Sequence, residues 1–430
     1  MMTDLAAARG QMAMSLAFHI VFAAVGMAMP LLMVIAEARF MRTQEAHWLA
    51  LAKRWSKGVA VLFAVGAVSG TVLSFELGLL WPRFMAFAGS VVGMPFSLEG
   101  FAFFLEAIFL GLYLYGWERL SPRLHLVCGI GVGVCGVMSA LFVVCANAWM
   151  NTPAGFTMGS NGPVDIDVWA AMFNPSALSE GVHMVIAAYA AVGFAVAGVH
   201  AAMLLGRPST LHRSALRLAL VVGGVAAALQ PLSGDFAAKV VARTQPVKLA
   251  AMEGQWETEA YAPLRIGGIP DSAREETRWA IGIPAMLSIM AYDSPSARVQ
   301  GLKAFTPDVR PPVWPVHFGF QIMVGCGMTM LAVAAAALFG RKRGWLEQRW
   351  FLWLLCACAP LGFIAIEAGW VVTEVGRQPW VVQGLVRTAD AVTPVTHLAV
   401  SFVTFAALYG VLALVVVILF RKIVLAEEET

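Results

Sequence analysis

Charged residues are scarce in this chain. They make up 13% of its 430 residues, whereas 60% are hydrophobic, and the mean hydropathy is +0.76. Soluble domains carry about a quarter of charged residues, so this composition excludes an ordinary soluble protein. Stretches with almost no charge recur along the whole sequence, which is typical of a polytopic helical membrane protein. The net charge of +3 says little about partners, and no nucleic-acid partner is expected.

Paired cysteine motifs are also missing, and we expect no cleavable leader. The sequence has no CxxC pair and no CxxCH motif, which argues against a covalently attached c-type heme and a thiolate zinc site. The first apolar run lacks an A-x-A-like cleavage site, so we predict a retained helix there. The six cysteines lie inside apolar runs, where small polarizable side chains fill space between helices: Cys128, Cys135, Cys145, Cys326, Cys356 and Cys358.

Nine apolar runs are long enough to cross a membrane as helices. They cover roughly residues 12–36, 58–80, 97–117, 126–148, 181–205, 218–236, 316–339, 350–372 and 395–420. We therefore predict an all-α integral membrane fold with nine transmembrane helices. Residues 1–430 would form a single polytopic membrane domain.

Lysines and arginines cluster in alternate loops. They follow the first, third, fifth and seventh runs and open the C-terminal tail, whereas most of the intervening loops are poor in cations. Because such residues favour the cytoplasmic side, we predict an N-terminus outside and a C-terminus in the cytoplasm.

One connection breaks this rhythm. Residues 237–315 form a long polar segment on the predicted outer side, and long loops escape the charge rule. Loops of this length are usually functional or disordered. Within it, residues 248–259 (KLAAMEGQWETE) predict a short amphipathic helix on the membrane surface.

Two pairs of acids lie within or beside apolar runs. Glu99 and Glu106 are seven residues apart, as are Glu367 and Glu374. Seven residues are two helical turns, so each pair shares one helix face. An intramembrane carboxylate costs about 2.5–3.5 kcal/mol on insertion scales, so it usually faces a partner, an ion path or a cofactor. The alternative is a set of buried acids kept neutral by desolvation.

Several histidines and one methionine also fall within or at the start of apolar runs, notably His19, His183, His317 and Met323. A single imidazole in such a helix is more often hydrogen-bonded between helices than a ligand. Several imidazoles together with intramembrane carboxylates favour a bundle that holds a cofactor. Neutral imidazole and thioether are typical axial ligands of heme iron.

Four longer patterns are more specific. They are GRQPW at 376–380 preceded by Glu374, EGFAFFLE at 99–106, KLAAMEGQWET at 248–258 and FQIMVG at 320–325. With His19 and nine spans, the chain resembles subunit I of cytochrome bd-type quinol oxidases over nearly its whole length. Residues 237–315 then match the segment that this family calls the Q loop. The short loop resembles the short-loop branch, some members of which are called cyanide-insensitive.

The resemblance implies roles for heme-binding residues. His183 and Met323 match the axial pair of a low-spin b heme, and His19 matches a ligand of a high-spin heme. Glu99 and Glu374 match carboxylates that ligate or flank the high-spin pair. Trp370 matches an aromatic residue among the hemes, and Arg377 would pair with a propionate, because a guanidinium suits a carboxylate.

Proton and quinol roles follow from the same resemblance. Glu106 matches a proton-conducting acid, and Ser139 and Asn147 would continue that path. Lys248 and Glu253 match quinol-site residues of the Q loop. Many relatives carry an arginine two residues before the axial methionine, but this chain has Gln321 there. His317 is a candidate for part of the missing positive charge.

The implied activity is that of subunit I of a ubiquinol or menaquinol oxidase in the bacterial cytoplasmic (inner) membrane. Electrons would pass from quinol through the low-spin heme to a high-spin pair that reduces O2 to water. A proton motive force would arise without pumping. The implied cofactors are two b-type hemes plus heme d or a third b-type heme.

The implied partners are a second membrane subunit (subunit II), a small single-helix subunit and membrane lipid. A proton-coupled secondary transporter is the alternative, because buried carboxylates and histidines fit it too. Inverted repeats and broken helices would distinguish a transporter, and neither is evident in the sequence.

Overall fold

The structure is a computed structural model that describes residues 3–160 and 162–425. Among these residues, nine helices are long and apolar enough to cross a membrane, which confirms the predicted number. The α-helices are α1 (Asp4–Thr43), α2 (Ala46–Leu80), α3 (Pro82–Tyr115), α4 (Pro122–Asn151), α5 (Val168–Met172), α6 (Ala177–Gly206), α7 (Thr210–Thr244), α8 (Pro246–Glu253), α9 (Met286–Tyr292), α10 (Val313–Gly340), α11 (Arg349–Cys358), α12 (Leu361–Gly376), α13 (Thr388–Ala391) and α14 (Leu398–Leu425). Helices α11 and α12 together make one span.

Helix ends follow ordinary capping chemistry. Proline occupies the first turn of α3, α4 and α8, where its missing N–H costs nothing. The hydroxyl of Thr3 accepts a 3.2 Å hydrogen bond from the amide of Ala6 at the start of α1. Helix α7 continues to Thr244, beyond the predicted apolar run over residues 218–236. There Lys239 binds Asp235 at 2.9 Å and Asp293 at 2.6 Å.

The first four helices form a closed ring. Helix α1 packs on α2 and α4, and α3 packs on the same two helices. The rings of Phe63 and Phe103 stack between α2 and α3 with centroids 5.0 Å apart. Helices α1 and α3 thus occupy opposite corners, and side chains from both can point to the centre.

A second ring is built from α6, α7, α10 and α12. Helix α6 packs on α7 and α12, and α10 packs on the same two helices. A Cβ atom at Gly193 of α6 would lie only 2.4 Å from the Cα of Gly223 on α7, so these two backbones touch, as small residues allow in membrane bundles. The rings meet where α6 packs on α1 and α4, and α14 packs outside on α1 and α2.

The connection between α7 and α10, residues 245–312, holds most of the strands. All strand pairs are antiparallel: β1 (Thr157–Gly159) with β2 (Gly162–Val164), β3 (Glu259–Ala260) with β8 (Arg298–Val299), β4 (Leu264–Ile266) with β7 (Ile281–Ile283), β5 (Ile269–Asp271) with β6 (Glu276–Arg278), and β9 (Trp380–Val382) with β10 (Val386–Arg387). Short 3-10 helices cover Leu302–Ala304, Pro307–Val309, Arg341–Arg343 and Trp345–Glu347.

The predicted surface helix over 248–259 was wrong in extent and placement. Helix α8 ends at Glu253, because Gly254 adopts a left-handed conformation with φ of 60°, a common helix stop. The side chains of α8 are buried from Lys248 to Glu253. Its apolar residues pack against α10 and α12 rather than facing lipid.

Candidate functional site

Lys248 of α8 is buried, with 3% of its surface exposed. Its ammonium donates a 2.9 Å hydrogen bond to Oδ1 of Asn151, at the end of α4. The Asn151 amide in turn donates at 3.0 Å to Glu180 of α6. Burial lowers the pKa of the Lys248 ammonium, while the nearby Glu180 carboxylate opposes that shift.

Arg377 joins the same cluster from the turn after α12. Its guanidinium donates to Oε2 of Glu374 and, at 3.4 Å, to Oδ1 of Asn151. The other oxygen of Glu374 accepts a 2.6 Å hydrogen bond from the Asn147 amide. A Cβ atom at Gly376 would lie 3.0 Å from Cγ of Lys248. The glycine of GRQPW therefore gives room to the lysine of α8, which links the two motifs in space.

Glu253 closes α8 and is also 3% exposed. Burial raises the pKa of its carboxyl to about 8, and the positive charge of Arg265 partly opposes this. Its Oε2 atom makes no hydrogen bond within the described part of the chain. A carboxyl in this state can take up or release a proton near neutral pH, as general acid–base catalysis requires.

His19 lies on α1 and faces α2. Its Nδ1 lies 2.9 Å from the hydroxyl of Ser69, which itself donates to the Gly66 carbonyl at 3.1 Å. Because that hydroxyl hydrogen is used, Ser69 accepts from Nδ1–H and leaves a lone pair on Nε2. Gly70 makes room for the ring, since a Cβ there would lie 2.9 Å from Cε1 of His19.

His183 on α6 repeats this arrangement against α7. Its Nδ1 lies 3.1 Å from the hydroxyl of Ser233, which donates to the Gln230 carbonyl at 2.9 Å. The lone pair of Nε2 then accepts a 3.0 Å hydrogen bond from the Gln230 amide. Met323 lies on α10, the opposite corner of this ring, and its sulfur would be 3.0 Å from a Cβ at Gly369 of α12.

The acids of α3 point into the first ring. Glu106 is 4% exposed, and a Cβ at Gly136 of α4 would lie 3.3 Å from its Oε1. Glu99, two turns away, accepts a 3.3 Å hydrogen bond from Ser139.

In the second ring, the partly buried side chain of Trp370 on α12 packs against the core around α1 and α6.

Comparison with known proteins supplies the family. The sequence model described as "Cytochrome bd terminal oxidase subunit I" matches residues 7–428. The chain belongs to this family. It is 39% identical over 423 residues to a Bacillus subtilis (strain 168) protein provisionally named cytochrome bd menaquinol oxidase subunit I, covering 97% of this chain and 95% of that protein.

A second relative and a solved structure support the same family. The cytochrome bd ubiquinol oxidase subunit 1 of Bacillus subtilis (strain 168) is 34% identical over 444 residues, covering 98% of this chain and 93% of that protein. The solved bd oxidase from Geobacillus thermodenitrificans superposes with a TM-score of 0.95 at 38% identity, covering 99% of each chain. The chain is therefore a heme-binding subunit of a terminal oxidase of the bacterial inner membrane. The secondary-transporter alternative receives no support.

The cytochrome bd fold implies heme, and the residues present fit that group. His19 and His183 both direct Nδ1 to a serine and carry the lone pair on Nε2, the tautomer that ligates iron. In His183 this lone pair holds the Gln230 amide, which a bound iron would displace. Buried polar atoms without a partner in the described ranges include Nε of Arg377 and Oε1 of Glu367. An unpaired guanidinium donor suits a propionate.

Sequence reasoning missed three members of the buried cluster. Asn151 bridges Lys248 to Arg377 and donates to Glu180, and Gln245 donates to the Asn151 carbonyl at 3.2 Å. A signal existed for Asn151, because it lies one turn after Asn147 on the same face of α4. Glu180 resembled an ordinary acid in the first turn of a helix.

Proposed function

We propose that this chain oxidises quinol beside Lys248 and Glu253 and passes the electrons through hemes to dioxygen, which is reduced to water. Membership of the cytochrome bd family supports the oxidase activity, and the named relatives act on menaquinol or ubiquinol. One observation carries the residue assignment. The buried cluster joins Lys248 to Arg377 and Glu374 through Asn151. Helix α8 of the Q loop and the GRQPW turn therefore form one site.

The bound hemes would supply electron transfer and dioxygen reduction, as two b-type hemes and either heme d or a third b-type heme. His183 and Met323 would hold the low-spin heme across the α6–α7–α10–α12 ring. His19, with Glu99 and Glu374, would serve the high-spin pair, and Trp370 would lie among the hemes. Arg377 would neutralise a propionate while it keeps its bond to Glu374.

The protein residues would handle protons at both ends. At the quinol, the Glu253 carboxylate would accept a hydroxyl proton, and the Lys248 ammonium would orient a quinol oxygen. Glu106, in its glycine-lined position, would deliver protons towards the high-spin hemes, with Ser139 and Asn147 as further members of the path. We propose release outside and uptake from the cytoplasm, which separates charge without pumping.

This scheme assumes the orientation expected from the loop charges, with the N-terminus outside and the Q loop, residues 237–315, extracytoplasmic. The oxidases of this family have a second membrane subunit, and we propose that a small single-helix subunit joins them.

The test is to purify the complex with its partner subunit and record a reduced-minus-oxidised spectrum, a pyridine hemochrome and quinol-dependent oxygen uptake. We expect b-type bands, with or without heme d, and oxygen uptake that depends on quinol. Absence of heme bands from the intact complex would refute the proposal.

A further inference from the structure

Two side chains of α10, one helical turn apart, contact the Q loop. His317 is fully buried, and its Nδ1 lies 2.9 Å from the Met252 carbonyl oxygen while its Nε2 lies 3.2 Å from the Gly267 carbonyl oxygen. Both partners are carbonyl oxygens, so whichever ring nitrogen carries hydrogen donates to the loop.

Gln321 completes the contact. Its Oε1 accepts a 3.0 Å hydrogen bond from the Gly267 amide, and its Nε2 donates at 3.0 Å to the Arg265 carbonyl. Gly267 is thus held at both its N–H and its C=O. Its φ of 67° lies in the left-handed region, which glycine adopts without strain. The two hydrogen bonds of Gln321 and the contacts of His317 therefore tie α10 to α8, to β4 and to the β4–β5 connection.

The held segments flank Glu253. Met252 precedes it directly in α8, and Arg265, whose carbonyl Gln321 holds, supplies the positive charge that acts on the Glu253 carboxyl. Arg265 also bonds the side chains of Gln255 and Glu259. The position where many relatives carry an arginine is therefore used here to fix the loop rather than to add a charge.

We propose that His317 and Gln321 are positioning residues for quinol oxidation. They clamp the Q loop to α10 and so hold the side chains of Glu253 and Arg265 in position. This inference rests on the proposed quinol role of Glu253. Met323, two residues after Gln321, lies on the same helix, so the clamp also fixes Glu253 relative to the helix of a proposed heme ligand.

The experiment compares Gln321→Met in the intact oxidase with Gln300→Met, which alters an exposed glutamine of the same loop. We expect Gln321→Met to lower kcat/KM for a short-tail quinol about tenfold, the size expected from losing one or two neutral hydrogen bonds. Hydrogen exchange at residues 264–268 should quicken, while the reduced-minus-oxidised spectrum and oxygen uptake with a donor that reduces the hemes directly stay unchanged. Gln300→Met should match the wild type.

A second variant guards against misfolding. Gln321→Glu keeps the acceptor for the Gly267 amide but sets a carboxylate oxygen against the Arg265 carbonyl oxygen, so kcat/KM should fall again. Wild-type kcat/KM in both variants, with or without faster exchange, would overturn the clamp. Glu253→Gln is measured in parallel: if it is slow while the clamp variants are normal, only the clamp fails. If Glu253→Gln is as fast as wild type, the quinol assignment fails and the clamp with it.

Discussion

The Lys248 ammonium donates a 2.9 Å hydrogen bond to the side-chain oxygen of Asn151. This contact joins α8, a helix of the Q loop, to the end of α4, a membrane-spanning helix. The same oxygen receives Arg377 at 3.4 Å, so one neutral amide stands between two cations. Its own N–H group donates to Glu180, which brings a carboxylate close enough to balance part of the positive charge.

Replacing Asn151 tests this arrangement. Asn151→Leu leaves the Lys248 ammonium and the Glu180 carboxyl short of a buried partner, at about 1–3 kcal/mol for each unsatisfied group. We expect a lower thermal unfolding temperature of the purified oxidase and a quinol oxidation rate reduced about tenfold or more. Gln383→Leu, in the loop between β9 and β10, is the comparison variant, and equal losses in both would contradict the assigned importance of Asn151.

The pH dependence of quinol oxidation should report Glu253. Burial raises the pKa of its carboxyl to about 8, and a general base works only when ionised. The rate at limiting quinol should therefore rise with pH through about 8. Glu253→Gln should remove this rise and slow the reaction about a hundredfold.

Glu257→Gln provides the matched control for Glu253. Glu257 follows Glu253 in the sequence, just beyond the end of α8. Its side chain is 65% exposed and pairs with Lys303. That variant should keep both the rate and the pH profile. A rise near pH 8 that persists in Glu253→Gln would assign the titration to another group, with the buried Lys248 ammonium as the next to test.

His183→Ala should remove the low-spin heme signal from the reduced-minus-oxidised spectrum and abolish quinol-dependent oxygen uptake. The reason is that His183 is the proposed ligand at that corner of the second ring, where Ser233 and Gln230 orient the imidazole. His47→Ala, at a partly exposed histidine that contacts Ser214, should leave both measurements unchanged. Low-spin heme retained in His183→Ala would show that the ligand is misassigned.

Arg377→Lys keeps the charge but loses the planar fork that reaches Glu374 and Asn151 together. Lysine does not replace arginine in such two-partner contacts. We expect a changed heme midpoint potential and at least tenfold slower turnover. Arg387→Lys, at an exposed arginine paired with Asp308, is the control and should behave as wild type. Identical potentials in the two variants would argue against a propionate partner for Arg377.

The sequence was sufficient for the number of spans and for the family, because both depend on local signals, whereas the roles of the site residues stay predictions. Apolar runs specify nine helices, and the GRQPW and KLAAMEG patterns are each continuous in the sequence. The family comparisons confirm the resemblance those patterns carry. The seven-residue spacing of Glu99 and Glu106 correctly placed both acids on one helix, and the structure directs Glu106 towards α4.

Contacts between distant segments were beyond the sequence. Asn151 and Lys248 are 97 residues apart, and nothing in either local pattern specifies their meeting. The burial of α8 was missed for the same reason: its amphipathic pattern predicts an apolar face but not whether lipid or α10 covers it. In the sequence, Gln321 indicated only that a cation of many relatives is lost. Its hydrogen bonds to Gly267 and Arg265 are visible only in the structure.

The orientation of His19 gives the last prediction. Ser69 accepts from Nδ1–H because its own hydrogen is committed to the Gly66 carbonyl, and outer partners of this kind typically change metal affinity or activity 10–100-fold. Ser69→Ala removes the acceptor, so the ring can turn and Nδ1 can compete with Nε2 for iron. We expect a shifted high-spin heme band and about tenfold slower oxygen reduction, with the low-spin heme unaltered. Ser74→Ala, on the same helix with its hydroxyl bonded to the Gly70 carbonyl, should leave the spectrum unchanged. A wild-type high-spin band in Ser69→Ala would mean that iron, and not the serine, fixes the imidazole.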